Sequence, residues 1–313
     1  MSDNTNNSGP PQNLDSVDDI SSSSSGPGQL EESRKFLNII GPAAEGIETT
    51  PSLDFSAVTD AHLANLGVSG KSLVFQDSDI KEYFSKEYPN YELRIGTLLN
   101  ELKMVYEHVV AFAVGRQIIQ TCLFTPVFIT FRESDQTWAT MEEEVEIPRT
   151  NLCNPKTGYT LPVSGHIYRV LFRCPKYGVS LPDKPTVRHC VKVSLPRQIF
   201  FIQKPSRDQD GEPLSKFVPG LVACAISIAQ NESLTEVRCC LTDGNSWRFL
   251  IVKSFNDSWN YFVSDQYELS NVFHGYESNL VPMDDLRDCI RKIVNALLIW
   301  WQGLAPDDFF KLL

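Results

Sequence analysis

The sequence predicts an α+β protein, a mixed β-sheet flanked by helices, that carries a disordered N-terminal tail. Three observations predict this. With 313 residues, 42% of them hydrophobic and 11% aromatic, the chain can bury a sizeable core. Its character changes near residue 35, from polar and Ser-rich to apolar and patterned. Beyond that point, apolar residues at helical spacing alternate with short runs rich in β-branched and aromatic residues.

Residues 1–35 hold almost no aromatic or branched apolar side chains, so they cannot bury enough surface to offset the entropy of ordering. They are expected to form a disordered acidic tail. Ser21 to Ser25 stand beside Asp18 and Asp19, where phosphorylation would add further negative charge, and the segment reads either as a regulatory, partner-binding extension or as an inert solvated one. Residues 36–94 read as a helical lead-in. Within it, GVSGKS (Gly67 to Ser72) has the look of a phosphate loop, but Asn65 stands where the first glycine is needed and AHLANL before it is helical. Gly67 therefore reads as a helix C-cap.

Residues 95–313 are expected to form the mixed α/β domain. Leu98, Leu99, Leu102, Val105, Tyr106, Val109, Val110 and Ala113 recur at three- and four-residue spacing and predict a helix from about Ile95 to Gln117, with Glu101 and Lys103 at its margins. Four strands follow by composition: Cys122 to Phe131, His166 to Phe172, Val187 to Leu195, and Arg197 to Lys204. Phe217 to Gln230 reads as an apolar helix. Glu236 to Phe255 reads as a hairpin turning at Asp243-Gly244, and Tyr261 to Leu269 as a further strand. A C-terminal helix is predicted over about Pro282 to Trp301, with Asp284 and Asp285 favouring its first turn.

Charge and cysteine usage narrow the function classes. A net charge of −11 argues against a general nucleic-acid-coating or anionic-membrane-binding role, which needs an excess of Lys and Arg facing phosphate, and leaves room only for a local basic groove. The eight cysteines are scattered through apolar surroundings, as reduced thiols are, and no C-x-x-C pair marks a zinc site. Cys239 and Cys240 are adjacent on a predicted strand, so their side chains should face opposite ways. No basic and apolar leader and no run of about 20 apolar residues is present, so the expected compartment is the cytoplasm or nucleus, with no membrane partner. HCVKV stands without G-x-G-x-x-G, H-R-D or D-F-G, which argues against a kinase, and no G-x-S-x-G marks a serine hydrolase.

Pro182-Asp183, the strand ending IQK at Ile202 to Lys204, the helix ending AISIAQ, and LTDGNSWRFLIVK (Leu241 to Lys253) together resemble the PD-(D/E)xK restriction-endonuclease-like superfamily. The closest likeness is to the nuclease-like domains of fungal Crinkler-type and kinase-linked proteins, and it covers about residues 95 to 265. The resemblance implies Asp183 as a metal-binding catalytic acid, Lys204 as the lysine that orients the attacking water, Glu101 as the additional helix glutamate, and Mg²⁺ as cofactor. This chain departs from the pattern at the second acid, two residues before the lysine, where Ile202 stands. The resemblance therefore implies a degraded nuclease-like fold, a noncatalytic interaction or toxin-like effector protein that binds a nuclear or cytosolic protein. The alternative is a working Mg²⁺-dependent nuclease acting on DNA or RNA, with the missing acid supplied by Glu101 or Asp208.

Plainer readings stand beside these. Pro182-Asp183 in SLPDKP is ordinary turn composition, Lys204 can end a strand with a solvated charge, and Asp243-Gly244 needs no more than a tight hairpin turn. Near the C-terminus, Trp300, Trp301, Phe309, Phe310, Leu312 and Leu313 concentrate apolar surface that either docks on its own domain or forms an oligomeric interface.

Overall fold

Strand alternation in the segment Glu236–Phe255 sets the architecture: its residues are buried on both faces of the sheet, so helices must cover both. The computed structural model describes residues 51–109, 111–130, 137–175, 200–203, 212–256, 258–269, 282–304 and 309–313. In chain order the elements are β1 (Leu53–Asp54), α1 (Asp60–Asn65), β2 (Ser69–Phe75), α2 (Asp77–Glu87), α3 (Tyr91–His108), α4 (Ala111–Thr130), β3 (Thr137–Cys153), β4 (Thr160–Pro175) and β5 (Phe200–Gln203). There follow α5 (Val218–Asn231), β6 (Glu236–Thr242), β7 (Ser246–Phe255), β8 (Ser258–Val263), β9 (Tyr267–Glu268), α6 (Met283–Gln302) and β10 (Phe310–Leu312).

The strands form one sheet in the order β1-β4-β5-β6-β7-β8-β2-β10, with β3 added to β4 and β9 to β7. The pairs β1/β4, β5/β6 and β2/β8 are parallel and the others antiparallel, so the α+β class and mixed sheet hold. Cys240, Trp247, Phe249 and Ile251 enter one core with α3, α4 and α6. Cys239, Leu241, Leu250 and Val252 enter the other with α5 and the strand residues Val163 and Ile167. The period-2 alternation of β6 and β7 thus feeds both cores, and Cys239 and Cys240 face opposite ways as expected.

Helix boundaries follow local chemistry. At the end of α1, Gly67 adopts φ +72, its N–H donates to Ala64 O at 3.0 Å, and Val68 N donates to Leu63 O at 2.9 Å, a Schellman closure that confirms the C-cap reading of GVSGKS. The remainder of that motif is β2, an extended strand, rather than a loop opening a helix. The stretch expected as a helical lead-in consequently supplies two strands, β1 and β2, because their backbone groups are satisfied only by β4, β8 and β10, which lie far away in sequence.

Two helical expectations change. The helix expected from about Ile95 to Gln117 is two, since Val109 is extended (φ −92, ψ 138) and closes α3. The run Cys122 to Phe131, expected as a strand, is helical through Thr130, where α4 ends. Its buried residues Ile118, Ile119, Cys122, Leu123 and Ile129 recur at helical spacing, a period that the β-branched and aromatic composition obscured. Pro126 is accommodated inside α4, where Thr125 and Thr130 hydroxyls donate to Thr121 O and Pro126 O at 3.0 and 2.9 Å.

The helices at Val218–Asn231 and Met283–Gln302, and the hairpin between Glu236 and Phe255, fall where periodicity placed them. His166 to Phe172 lies within β4, and the run expected over Arg197 to Lys204 is a strand at Phe200–Gln203. The expected strand Tyr261 to Leu269 is divided between β8 and β9. The N-terminal tail and the run Val187 to Leu195 lie outside the described residues. Of the two readings of the C-terminal segment, docking on its own domain holds: Trp300, Trp301, Phe309 and Phe310 are buried, and β10 pairs with β2. Phe75, Phe249, Trp300 and Phe310 pack with ring centroids 5.5–6.1 Å apart.

β3 was not anticipated. Its sequence, TWATMEEEVEIPRTNLC, carries Glu142, Glu143, Glu144 and Glu146 followed by Pro148, and its register with β4 shifts between Ile147 and Thr150. Charge, proline and a bulge are the means by which a strand at a sheet margin is kept from pairing with other chains.

Two glycines report on how tightly the α4 helix meets the hairpin turn. A Cβ at Gly115 would lie 2.3 Å from Asp243 O, whereas one at Gly96 on α3 meets nothing within 4 Å. Gly96→Ala should therefore stabilise by about 0.5–1 kcal/mol through helix propensity. Gly115→Ala should destabilise by roughly 2–4 kcal/mol because backbone must move. Urea denaturation of the two variants beside the parent checks the opposite signs.

Candidate functional site

The residues singled out from the sequence are not brought together among the described residues. Asp183, Lys204 and Asp208 lie outside them. Glu101 is exposed on α3, and its negative charge adds, after burial, to raising the thiol pKa of Cys122 on α4. Ile202 is in register with Cys240 on β6 and with Arg169 on β4, so the position that would carry the second acid lies on a strand inside the sheet. Among the described residues no group of three or more His, Cys, Asp or Glu side chains could hold a metal ion. Ile202 has no oxygen to offer Mg²⁺, and the described residues do not assemble a donor set for it.

The TDG element is resolved in full. Thr242 Oγ1 accepts from Gly244 N at 2.9 Å, and Asp243 Oδ1 accepts from Asn245 N and Ser246 N at 2.8 and 2.7 Å. Gly244 sits at φ +101, and a Cβ there would meet the Gly115 backbone at 2.4 Å. The Trp247 indole N–H returns to Gly244 O at 2.9 Å and its ring is fully buried. Every residue of TDG and the following Trp is thus consumed by the turn and its docking on α4, the plainer of the two readings.

Sequence reasoning missed the polar network that grows from this turn. Tyr106 on α3 donates to Asn245 Oδ1 at 2.6 Å, Ser246 Oγ donates to Glu268 Oε2 at 2.8 Å, and Gln266 donates to the other oxygen of Glu268. Arg248 Nε donates to Gln266 Oε1 at 3.0 Å. Burial pushes the Tyr106 phenol above its ordinary value, helped by Cys122 and Asp243 nearby. Asp243 Oδ1 and both oxygens of Glu268 accept hydrogen bonds within the fold, so the network positions a hairpin against helices. No local motif marks it, since Tyr106 and Glu268 are 162 positions apart by number.

Two surface features are built differently. On the α5 side, a cleft of about 480 Å³ opens between the β3–β4 turn, the end of α5 and the β7–β8 hairpin. Asn154 fixes its floor, donating from Nδ2 to Asn65 O at 2.8 Å while Oδ1 accepts from Lys156 N at 3.0 Å. Half-buried Trp259 forms a wall. On the other side, the helical hairpin α3–α4 exposes Leu93, Met104 and Phe128. Among the described residues no helix is long and apolar enough to cross a membrane.

No protein-family model matches the chain, and no curated protein matches it.

The titratable groups of the core give two measurable consequences. Cys289 donates to Glu268 O at 3.7 Å, and burial first, with Asp288 and Glu268 adding, pushes its thiol from 9.0 up to about 11. Burial likewise raises Tyr91, Tyr106 and Tyr267 above 10.0. Each folded pKa exceeds the unfolded one, so the Cys289 contribution is complete below pH 9 and is lost as pH rises through about 11, while the tyrosine contributions begin to be lost only above pH 10. Thermal unfolding temperature should accordingly stay level near neutrality and fall from pH 9 upward. Cys122, Cys224, Cys239 and Cys240 are buried with raised thiols, whereas Cys153 is exposed. With Ellman's reagent at neutral pH, Cys153→Ser should remove one rapidly reacting thiol, and those four should react only after denaturation.

Proposed function

We propose that this chain is a noncatalytic interaction protein of the toxin-like effector kind on a degraded nuclease-like fold. It acts in the cytoplasm or nucleus by binding protein, first of all a second copy of itself. The observation that carries this reading is the outer face of the α3–α4 hairpin. Leu93, Thr97, Asn100 and Met104 recur at four-, three- and four-residue spacing on α3, none is charged, and Leu93 and Met104 are 68% and 57% exposed. On α4, Phe124 and Phe128 pack with centroids 6.4 Å apart, Phe128 is 55% exposed, and the Arg94 guanidinium lies 5.5 Å from its ring.

Aromatic side chains, Met and Arg with few other charges are the composition of interface cores. The occupant follows from electrostatics. Two copies of a chain carrying −11 repel through their acidic surfaces, so a stripe whose own residues are uncharged, with the Arg94 cation beside Phe128 and Glu101 at its margin, is where self-association meets less repulsion. A two-fold axis would place the same patch on both sides and form a helical layer from two hairpins. Ile202 at the second-acid position supports the noncatalytic part of the reading.

Light scattering coupled to size exclusion should show a dimer at about 50 μM, and Leu93→Glu or Phe128→Glu should weaken it at least tenfold without changing the circular dichroism. A parent protein that stays monomeric there overturns self-association. Plasmid DNA and single-stranded RNA incubated in Mg²⁺ or Mn²⁺ should remain uncleaved above the Asp183→Ala background. Cleavage lost in Asp183→Ala would instead establish the Mg²⁺-dependent nuclease.

A further inference from the structure

We propose that the cleft beside Trp259 binds a nucleoside monophosphate, with the base against the indole and the phosphate on Lys156. The inference is independent of the α3–α4 face and of any catalysis. It begins from an imbalance: the chain carries −11, yet among the described residues no Asp or Glu lines this cleft, while Lys156 does. Among the described residues, the Lys156 ammonium, the Gln230 side-chain amide, the Ser254 hydroxyl and the Trp259 indole N–H have no hydrogen-bond or ion-pair partner, and all four groups belong to lining residues. A site whose described lining offers unspent donors and no carboxylate suits an acceptor-rich, anionic ligand.

The ligand also needs a flat ring. Trp259 is half-buried at the cleft wall, unlike Trp247, Trp300 and Trp301, which are closed in the core. It packs against the α5-side core and also lines the cleft, and an indole presented at a cleft wall is a stacking platform that every nucleobase can use. The volume of about 480 Å³ falls within the range of small-molecule sites and accommodates a base, a ribose and one phosphate. The ribose hydroxyls then meet Gln230 and Ser254, which can both donate and accept.

The cleft is formed before any ligand arrives. Asn154 is buried and spends both ends of its amide joining the β3–β4 turn to the end of α1, and Ser254 N donates to Thr235 O at 2.8 Å. Gly67, at φ +72, lines the same floor, and a Cβ there would lie 3.1 Å from Asn154 Nδ2. A rigid floor of this kind lowers the ordering cost of binding.

The test is titration of the full chain with AMP and with UMP, followed by tryptophan emission and, in parallel, by calorimetry. Saturable quenching by both nucleotides is expected below about 10 mM, with adenosine and inorganic phosphate each binding at least tenfold more weakly. Lys156 is on an exposed turn, so Lys156→Gln leaves the fold intact and should weaken nucleotide binding about fivefold. Trp259→Phe should abolish the quench while calorimetry still reports weakened binding. The proposal is overturned if neither nucleotide binds by calorimetry up to about 10 mM. It is equally overturned if Lys156→Gln binds AMP as the parent does, or if the quench persists in Trp259→Phe.

Discussion

Burial of the β6–β7 hairpin on both faces is the constraint on which the remaining structure depends. A strand with one wet face needs a single covering layer, whereas this hairpin sends Phe249 and Ile251 one way and Leu250 and Val252 the other. Two helical layers must therefore form. Arg238, on β6, links them to the chain end. Its guanidinium donates to Leu304 O at 2.8 Å and Ile299 O at 3.4 Å, supplying donors to carbonyls at the end of α6, and it lies 5.3 Å from the Trp300 ring and 5.7 Å from the Phe310 ring. With Glu236 accepting from its Nε at 3.0 Å, this buried cation is compensated on every side, as a buried charge must be.

The first helical layer is held by polar contacts as well as by its core. Tyr91 donates to Asn295 Oδ1 at 2.6 Å between α3 and α6, both side chains being buried, and Glu92 receives Arg287 and Arg291 at 3.2 and 3.3 Å. These pairs fix the rotation of α3, and so decide which of its faces remains outside. The face left outside carries the stripe Leu93, Thr97, Asn100 and Met104, with exposed Glu101 at its margin. The stripe's exposure is thus a consequence of packing, while its lack of charge is a property of the residues, and the two together motivate the interaction reading.

The TDG turn shows how a short motif can be spent on structure. Asp243 has the residue type of a metal ligand, yet its Oδ1 is occupied by two backbone N–H groups, and Gly244 is required because the turn touches Gly115 directly. The cleft at Trp259 is the converse case. Its residues come from the loop after α1, the β3–β4 turn, the end of α5 and the β7–β8 hairpin, and the side-chain donors of Lys156, Gln230, Ser254 and Trp259 are left unspent among the described residues. Chemistry is more readily accommodated where the fold has not already used the polar groups.

Periodicity and turn chemistry by themselves determined α5, α6, the β6–β7 hairpin with its Asp243-Gly244 turn, and the Gly67 cap, because in each the signal is local: a 3.6-residue apolar repeat, an alternating run, or a residue that tolerates positive φ. The mixed α+β class followed from the same signals. Composition misled at Cys122 to Thr130, where β-branched residues lie in a helix because burial against α3 and α6 outweighs their weak intrinsic preference. Tertiary structure alone decided that Ser69–Phe75 is a strand, that the C-terminal aromatics fold inward onto it, and that Tyr106 meets Asn245. It alone assembled the Trp259 cleft. Each of these rests on hydrogen bonds and packing between residues distant in sequence, and no window along the chain contains both partners.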